Sequence, residues 1–300
     1  MMGKTFFRRK ATIGQENIGY LLIAPFYIFL IVFVLIPIIA NFVLSFTNFD
    51  LQQLNFIGLN NYKYLLTDDP FKISLKNTFI YSFFTLIFSM GIGLLAAVIL
   101  NQKLMGLKFY RTCVFLPHVT SMVAVSMIWL WIYDPSHGTI NQLLSLVGIR
   151  GKAWLYDVNF SLASIIFMSI WKVIGYNMII YLAGLQSIPA YLSEAATIDG
   201  ANSVQKFFNI TFPMLSPVTF LLFVTGFINN FKVFEQVQIL TAGGPMNSTT
   251  TIVHQIYNRG FIDFRMGYAA AMSIILLLII AVITLVNFKY GNQGQDLDIG

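Results

Sequence analysis

Charge is what this sequence is short of: Asp, Glu, Lys and Arg together make up 10% of its 300 residues. A soluble domain of that length needs far more charge to cover its surface. Cysteine is nearly absent. With Cys113 alone, no internal disulfide is possible, and a lone thiol near the end of an apolar run is expected to stay reduced and without functional weight. No G-x-x-x-x-G-K-[ST] phosphate loop occurs, so the chain cannot bind and hydrolyse ATP in the usual way. H-E-x-x-H, G-x-S-x-G and a cysteine pair are missing too, and the three histidines, His118, His137 and His254, stand far apart. An integral membrane enzyme is therefore a poor fit, and no catalytic, cofactor-binding or metal residue is expected in this chain.

Apolar residues take up the room. Hydrophobic types make up 57% of the chain and 29 residues are Phe, with a mean hydropathy of +0.74. A bilayer core takes roughly 20 apolar residues per helix, and six runs reach that scale. Glu16 to Asp50 brackets the first, Lys76 to Lys103 the second and Arg111 to Asp134 the third. Ser161 to Ser187 is the fourth, with Lys172 inside it. Pro217 to Thr241 is the fifth, carrying Lys232 and Glu235, and Arg265 to Lys289 brackets the last. These runs are too long for strands and lack the alternation of an outer-membrane barrel, whereas helices keep every backbone group bonded in lipid. The expected fold is all-α and integral to the membrane, with six transmembrane helices. Pro25, Pro37 and Pro117 are expected to mark bends rather than breaks.

Basic residues orient the spans. Lys4, Arg8, Arg9 and Lys10 precede the first, and Lys103, Lys108 and Arg111 fill the link after the second, which places both segments in the cytoplasm. An even number of spans returns the C-terminus to the same side. The expected layout is a basic cytoplasmic terminus over 1–18, a six-span body over 19–290, a cytoplasmic loop over 187–216 and a cytoplasmic tail over 291–300. The basic start lacks a small-x-small cleavage site and reads as an uncleaved span of a multi-pass cell (inner) membrane protein. The net charge of +6 follows from that orientation, so no nucleic-acid partner is implied.

One loop breaks the apolar pattern. Between the fourth and fifth runs, "YLSEAATIDGANSVQKFFNITFPMLSP" predicts a helix over Ala190 to Ile198, rich in good helix formers. Asp199 and Gly200 supply a turn. Asn202 or Ser203 then caps a second helix through Phe207 and Phe208, which Pro213 is expected to close. A surface helix that merely rests on lipid would carry basic residues on its polar face, and the hairpin offers only Lys206.

Glu194-Ala195-Ala196, then Asp199-Gly200-Ala201, then Phe207, Ile210, Thr211 and Pro213 resemble the EAA signature loop of ABC importer permeases. "YRTCVFLPHVTSMVAVSMIWLWIYDPSHGTIN" and "ILTAGGPMNSTTTIVHQIYNRGF" resemble stretches of the maltose-type carbohydrate permeases. "ITFPMLSP" and "LTAGGP" are more similar to the first, F-type subunit than to the second. Phe212 stands where Leu is usual, an apolar exchange expected to cost nothing. The resemblance implies a coupling helix, with Glu194, Ala195, Ala196, Asp199, Gly200 and Ala201 docking on a cytoplasmic ATPase. It also implies the partners: a second related permease, a dimer of ATP-binding cassette subunits that binds ATP and Mg, and an extracytoplasmic solute-binding protein. The implied function is import of a carbohydrate, in the first place an oligosaccharide, with glycerol-phosphate-type solutes as the alternative. An ion-coupled secondary transporter is the rival by topology, but its candidate ionisable groups are few, namely Lys172, Lys232 and Glu235.

Intramembrane charge is expensive and marks function by default. Lys232 and Glu235, three apart on an expected helix, share a face and can pair. Lys172 lies near mid-span beside Trp171 and ahead of Tyr176 and Asn177. A sugar needs hydroxyl partners and an aromatic face, so Lys172, Tyr176, Asn177, Asn229 and Asn230 are the candidates to line a pathway through membrane lipid. Hydrogen bonding between helices is the competing use of each Asn. The segment Thr241 to Tyr268, with Gly243, Gly244 and Pro245, reads as a turn-rich external loop able to meet the binding protein.

Overall fold

The computed structural model describes residues 13–102 and 105–291. Lys4, Arg8, Arg9, Lys10 and Lys103, and the tail beyond Gly291, lie outside the described residues. Helices account for nearly all of the regular structure, and among the described residues no strand forms; Thr47 and Phe56 make an isolated antiparallel bridge.

The first apolar run folds as α1 (Ile13–Leu30) and α2 (Ile36–Leu44), joined by a π-helical stretch over Ile31–Leu35. Ile36 N–H reaches the Ile31 carbonyl, so the wider turn precedes Pro37, which cannot donate a backbone bond. No residue of the span from Ile18 to Leu44 is buried in the chain. After α3 (Asn60–Leu65) comes α4 (Asp69–Leu100), with Pro70 in its first turn, where the missing N–H costs nothing.

The third run is not one bent helix. α5 (Leu107–Val119) and α6 (Met122–Ile132) meet at 99°, because Thr120 and Ser121 are both extended. Pro117 therefore precedes a break. α7 (Thr139–Leu146) follows, and α8 (Ser161–Ser187) crosses back beside α4.

The hairpin forms from α9 (Ala190–Ile198) and α10 (Ser203–Lys206). Pro213 does not close the second helix. A π-helical stretch over Phe207–Thr211 leads into α11 (Phe212–Met214), and Phe212 N–H reaches back to the Phe207 carbonyl, so the helix carries on through the proline. α12 (Ser216–Phe231) then leaves at 60°. The fifth run stops there: Lys232 to Phe234 interrupt it before α13 (Glu235–Leu240). The Val233 carbonyl in this gap accepts from Thr251 Oγ1 at 2.9 Å, and irregular backbone within a membrane protein persists only with such partners. α14 (Ile252–Tyr257), a π-helical stretch over Asn258–Ile262 and α15 (Met266–Gly291) complete the described chain. Among the described residues four helices are long and apolar enough to span a bilayer, and up to six spans result when each bent pair counts as one.

α4 and α8 form the centre. Leu86, Met90 and Ala97 on α4 pack on Met178, Tyr181 and Leu182 of α8, with Leu215 and Leu222 closing the cluster from the hairpin side. Toward the opposite end, Tyr81 and Ile165 pack with Val125 and Trp129 of α6 and Val237 of α13. A third cluster joins Phe71, Phe231, Ile252, Tyr268 and Met272. Asn177 donates to Ser89 Oγ at 3.0 Å across the α4–α8 crossing, the interhelical polar contact that membranes favour.

Candidate functional site

Two features stand out at opposite depths. The first is the hairpin. α9 ends on Asp199, Gly200 takes φ +80°, and two reversed hydrogen bonds close the end: Gly200 N–H to Thr197 O at 3.1 Å and Ala201 N–H to Ala196 O at 2.9 Å. That is the Schellman pattern, in which glycine supplies the left-handed residue. Asn202 then caps α10. Its Oδ1 accepts from Gln205 N–H at 2.9 Å, and Gln205 Oε1 accepts from Asn202 N–H at 2.8 Å, a capping box. Lys206 Nζ reaches Thr197 Oγ1 at 3.2 Å and ties the two arms. The hairpin is stiffened by its own local bonds, while Glu194, Ala195, Asp199 and Gly200 stay exposed and Ala196 and Ala201 are half-buried. Glu194 belongs to none of the ion pairs among the described residues.

The second feature is a cavity of about 460 Å³ where the breaks of the third and fifth runs meet α4 and α8. Its walls include Met122, Ser169, Val173, Asn229, Asn230, Lys232, Glu235 and Gln236, with Tyr81 behind. Gln236 Nε2 donates to the Tyr81 hydroxyl at 2.8 Å, and Asn230 Nδ2 points to the Ser82 carbonyl at 3.5 Å. The arrangement offers amide and hydroxyl groups beside one cation and one anion. Lys232 and Glu235 do not form an ion pair, because the helix that would have put them on one face ends at Phe231.

Of the sequence candidates, Asn229 and Asn230 open into this cavity. Tyr176 is half-buried and stacks on His118 at 4.9 Å. Asn177 is 4% exposed and Lys172 is 7% exposed; the first is spent on Ser89, the second on backbone carbonyls of α5's end. Sequence reasoning missed Met122, Ser169, Tyr81 and Gln236. Gln236, close after two asparagines in an apolar run, carried a readable signal, whereas Met122 and Ser169 carried none.

The segment after α13 is not a plain turn-rich connector. Asn77 Nδ2 donates to the carbonyls of Asn247 and Thr250, both at 3.0 Å, and Thr241 and Thr249 share a hydroxyl contact of 2.7 Å. Burial pushes the His254 imidazole below its ordinary pKa, and its Nδ1 lies 2.8 Å from Thr250 Oγ1. Met246 is left 87% exposed at the tip.

Residues 89–291, which include both features apart from Tyr81 and Ser82, match the family described as "Binding-protein-dependent transport system inner membrane component". The sn-glycerol-3-phosphate transport system permease protein UgpA of Agrobacterium fabrum is 36% identical over 92% of this chain and 95% of its own. The arabinooligosaccharides transport system permease protein AraP of Halalkalibacterium halodurans is 35% identical over 96% and 92%. Among solved structures, a bacterial ABC transporter involved in import of the acidic polysaccharide alginate superposes with a TM-score of 0.84 at 28% identity, covering 94% of this chain and 97% of that one. A bacterial alginate ABC transporter in complex with alginate pentasaccharide-bound periplasmic protein gives 0.83 at 28% identity over 92% of this chain and 94% of that one.

Proposed function

This chain belongs to the binding-protein-dependent transport system inner membrane components, and on that premise we propose that it forms one half of the membrane pathway of an ATP-driven carbohydrate importer. It is a transport subunit rather than an enzyme. A second, related permease completes the pathway and covers the bare first span, Ile18 to Leu44. A dimer of ATP-binding cassette subunits binds ATP and Mg and hydrolyses the nucleotide, and an extracytoplasmic protein delivers the solute. With the hairpin in the cytoplasm, the N- and C-termini share its side.

Glu194, Ala195, Ala196, Asp199, Gly200 and Ala201 form the coupling element. The observation that carries this reading is the stiff hairpin itself, closed by its own caps, with an unpaired Glu194 exposed. A rigid lever transmits displacement; a loose loop absorbs it. When the nucleotide-bound dimer closes, it draws α9 inward and swings α12, which leaves the hairpin through Leu215, and α12 carries Asn229 and Asn230 at the cavity. Access at the cavity thereby follows the nucleotide state.

Asn229 and Asn230 bind sugar hydroxyls, and Tyr176 supplies an aromatic face. Lys172 and Asn177 support the same pathway from behind, through the contacts described above. Arabinooligosaccharide and alginate importers among the relatives favour an oligosaccharide. A phosphate ester is the second reading, favoured by the exposed Lys232 in the cavity wall and by the glycerol-3-phosphate permease relative. Co-purification from the native membrane in mild detergent, with mass spectrometry and an ATPase assay, tests the assembly. A nucleotide-binding subunit and a second EAA-bearing permease are expected; the chain alone, with ion-gradient-driven uptake, would overturn it.

A further inference from the structure

The break between α5 and α6 leaves helix-end carbonyls without intrahelical partners in the middle of an apolar run, where water is scarce. Three of them converge on one side chain. Lys172 Nζ donates to Thr120 O at 2.6 Å, Pro117 O at 3.0 Å and His118 O at 3.3 Å. An ammonium has three hydrogens, so its donor capacity is used up. The end of α5 also carries the negative pole of the helix dipole, which favours a cation there. Among the described residues Lys172 makes no ion pair; the carbonyls meet its ammonium directly, and the Glu235 carboxylate acts on it only at longer range. One turn further along α8, the Tyr176 ring stacks on His118, and Gly175 lets the two backbones meet at Val114. α8 thus grips the broken end by charge, ring and close approach. Directly past the break, Met122 at the start of α6 enters the wall of the polar cavity.

We infer that Lys172 is a positioning residue: its ammonium caps the broken third span and so sets where Met122 stands in the cavity wall, and it does not ligate the transported solute. The inference rests on the proposed pathway only in treating that cavity as the solute's route.

The test uses the complete reconstituted importer with Cys113→Ser and a reporter thiol, Met122→Cys, labelled by a maleimide; Met246→Cys on the exposed loop is the control. Lys172→Met is expected to change the labelling rate at the reporter by about tenfold and leave the control unchanged, as loss of a dipole-capping charge implies. Lys172→Arg, which keeps charge and donors, is expected to restore the parent rate. Should Lys172→Met not accumulate, Lys172→Gln is read in its place, with a smaller change of the same kind expected. Parent-like reporter labelling in the Met and Gln variants overturns the inference, as does a raised KM for uptake with labelling unchanged, the signature of a direct ligand. Altered labelling with unaltered uptake KM in Asn229→Ala and Asn230→Ala keeps the Lys172 role and removes the pathway reading instead.

Discussion

Tyr268, at the start of α15, donates its hydroxyl to the carboxylate of Asp68, which lies 200 residues earlier and just ahead of α4. Asp68 is 6% exposed and Tyr268 3%, and the Arg265 guanidinium sits 5.1 Å from the tyrosine ring. This contact closes the loop end of the bundle, joining the first of the central helices to the last.

Removing the donor leaves a buried carboxylate short of a partner. Tyr268→Phe is expected to destabilise the protein by about 1–3 kcal/mol, and Asp68→Asn, which keeps an acceptor, by less. Thermal unfolding of the detergent-solubilised complex measures both, and a negligible loss in Tyr268→Phe would mean that the contact is dispensable.

The hairpin makes a different claim, about coupling rather than stability. Glu194→Lys reverses an exposed, unpaired charge, so the chain should stay in the membrane while uptake and the bound ATPase are lost. Gly200→Val is expected to act through the backbone alone. Nothing lies within 4 Å of a Cβ there, but φ is +80°, which costs an L-residue about 1–2 kcal/mol. Normal transport by both variants would show that the hairpin is not the coupling element.

How far the sequence could be read depends on how local the cause is. The bounds of α9 were legible and the cap was narrowed to Asn202 or Ser203, since Asp199-Gly200 and the Asn202–Gln205 capping box act within a few residues. The break after Val119 was not, because the ammonium that satisfies it comes from Lys172, 52 residues away from Thr120. The fifth run failed in the same way. Its apolar residues recur through Leu240 among Lys232, Glu235, Gln236 and Gln238, yet the helix stops at Phe231 and the freed Val233 carbonyl is taken by Thr251. Of the pathway candidates, Asn229 and Asn230 could be named from polarity in an apolar run, but polarity alone could not separate them from Asn177, which bonds a neighbouring helix.

Loss of one amide that binds a hydroxyl is worth about 0.5–1.5 kcal/mol. Asn229→Ala and Asn230→Ala should therefore each raise the KM for solute uptake by about twofold to tenfold, with ATPase coupling retained. Initial-rate uptake over a range of solute concentrations checks this, and unchanged uptake after alanine substitution of Tyr176, Asn177, Asn229 and Asn230 together would remove the pathway assignment.

Two close helix approaches give a graded prediction. At Gly175 an added Cβ would run into the Val114 carbonyl and come within 2.7 Å of Phe115 Cα, both backbone atoms of α5. At Gly184 it would meet Val218 Cγ2 at 2.8 Å and Leu215 Cδ2 at 2.9 Å, both ends of side chains. Side chains can rotate away, whereas a helix backbone must move as a body. Overpacking of about 1–3 kcal/mol is typical, so Gly184→Ala should fall at the low end and Gly175→Ala at or beyond the high end. Gly175→Ala should also draw Lys172 away from the carbonyls at the α5 end, adding a polar penalty to the steric one. Comparing the thermal unfolding of the two variants decides the matter: a Gly184 variant as damaged as the Gly175 variant would mean that backbone contact between α5 and α8 is not what limits their approach.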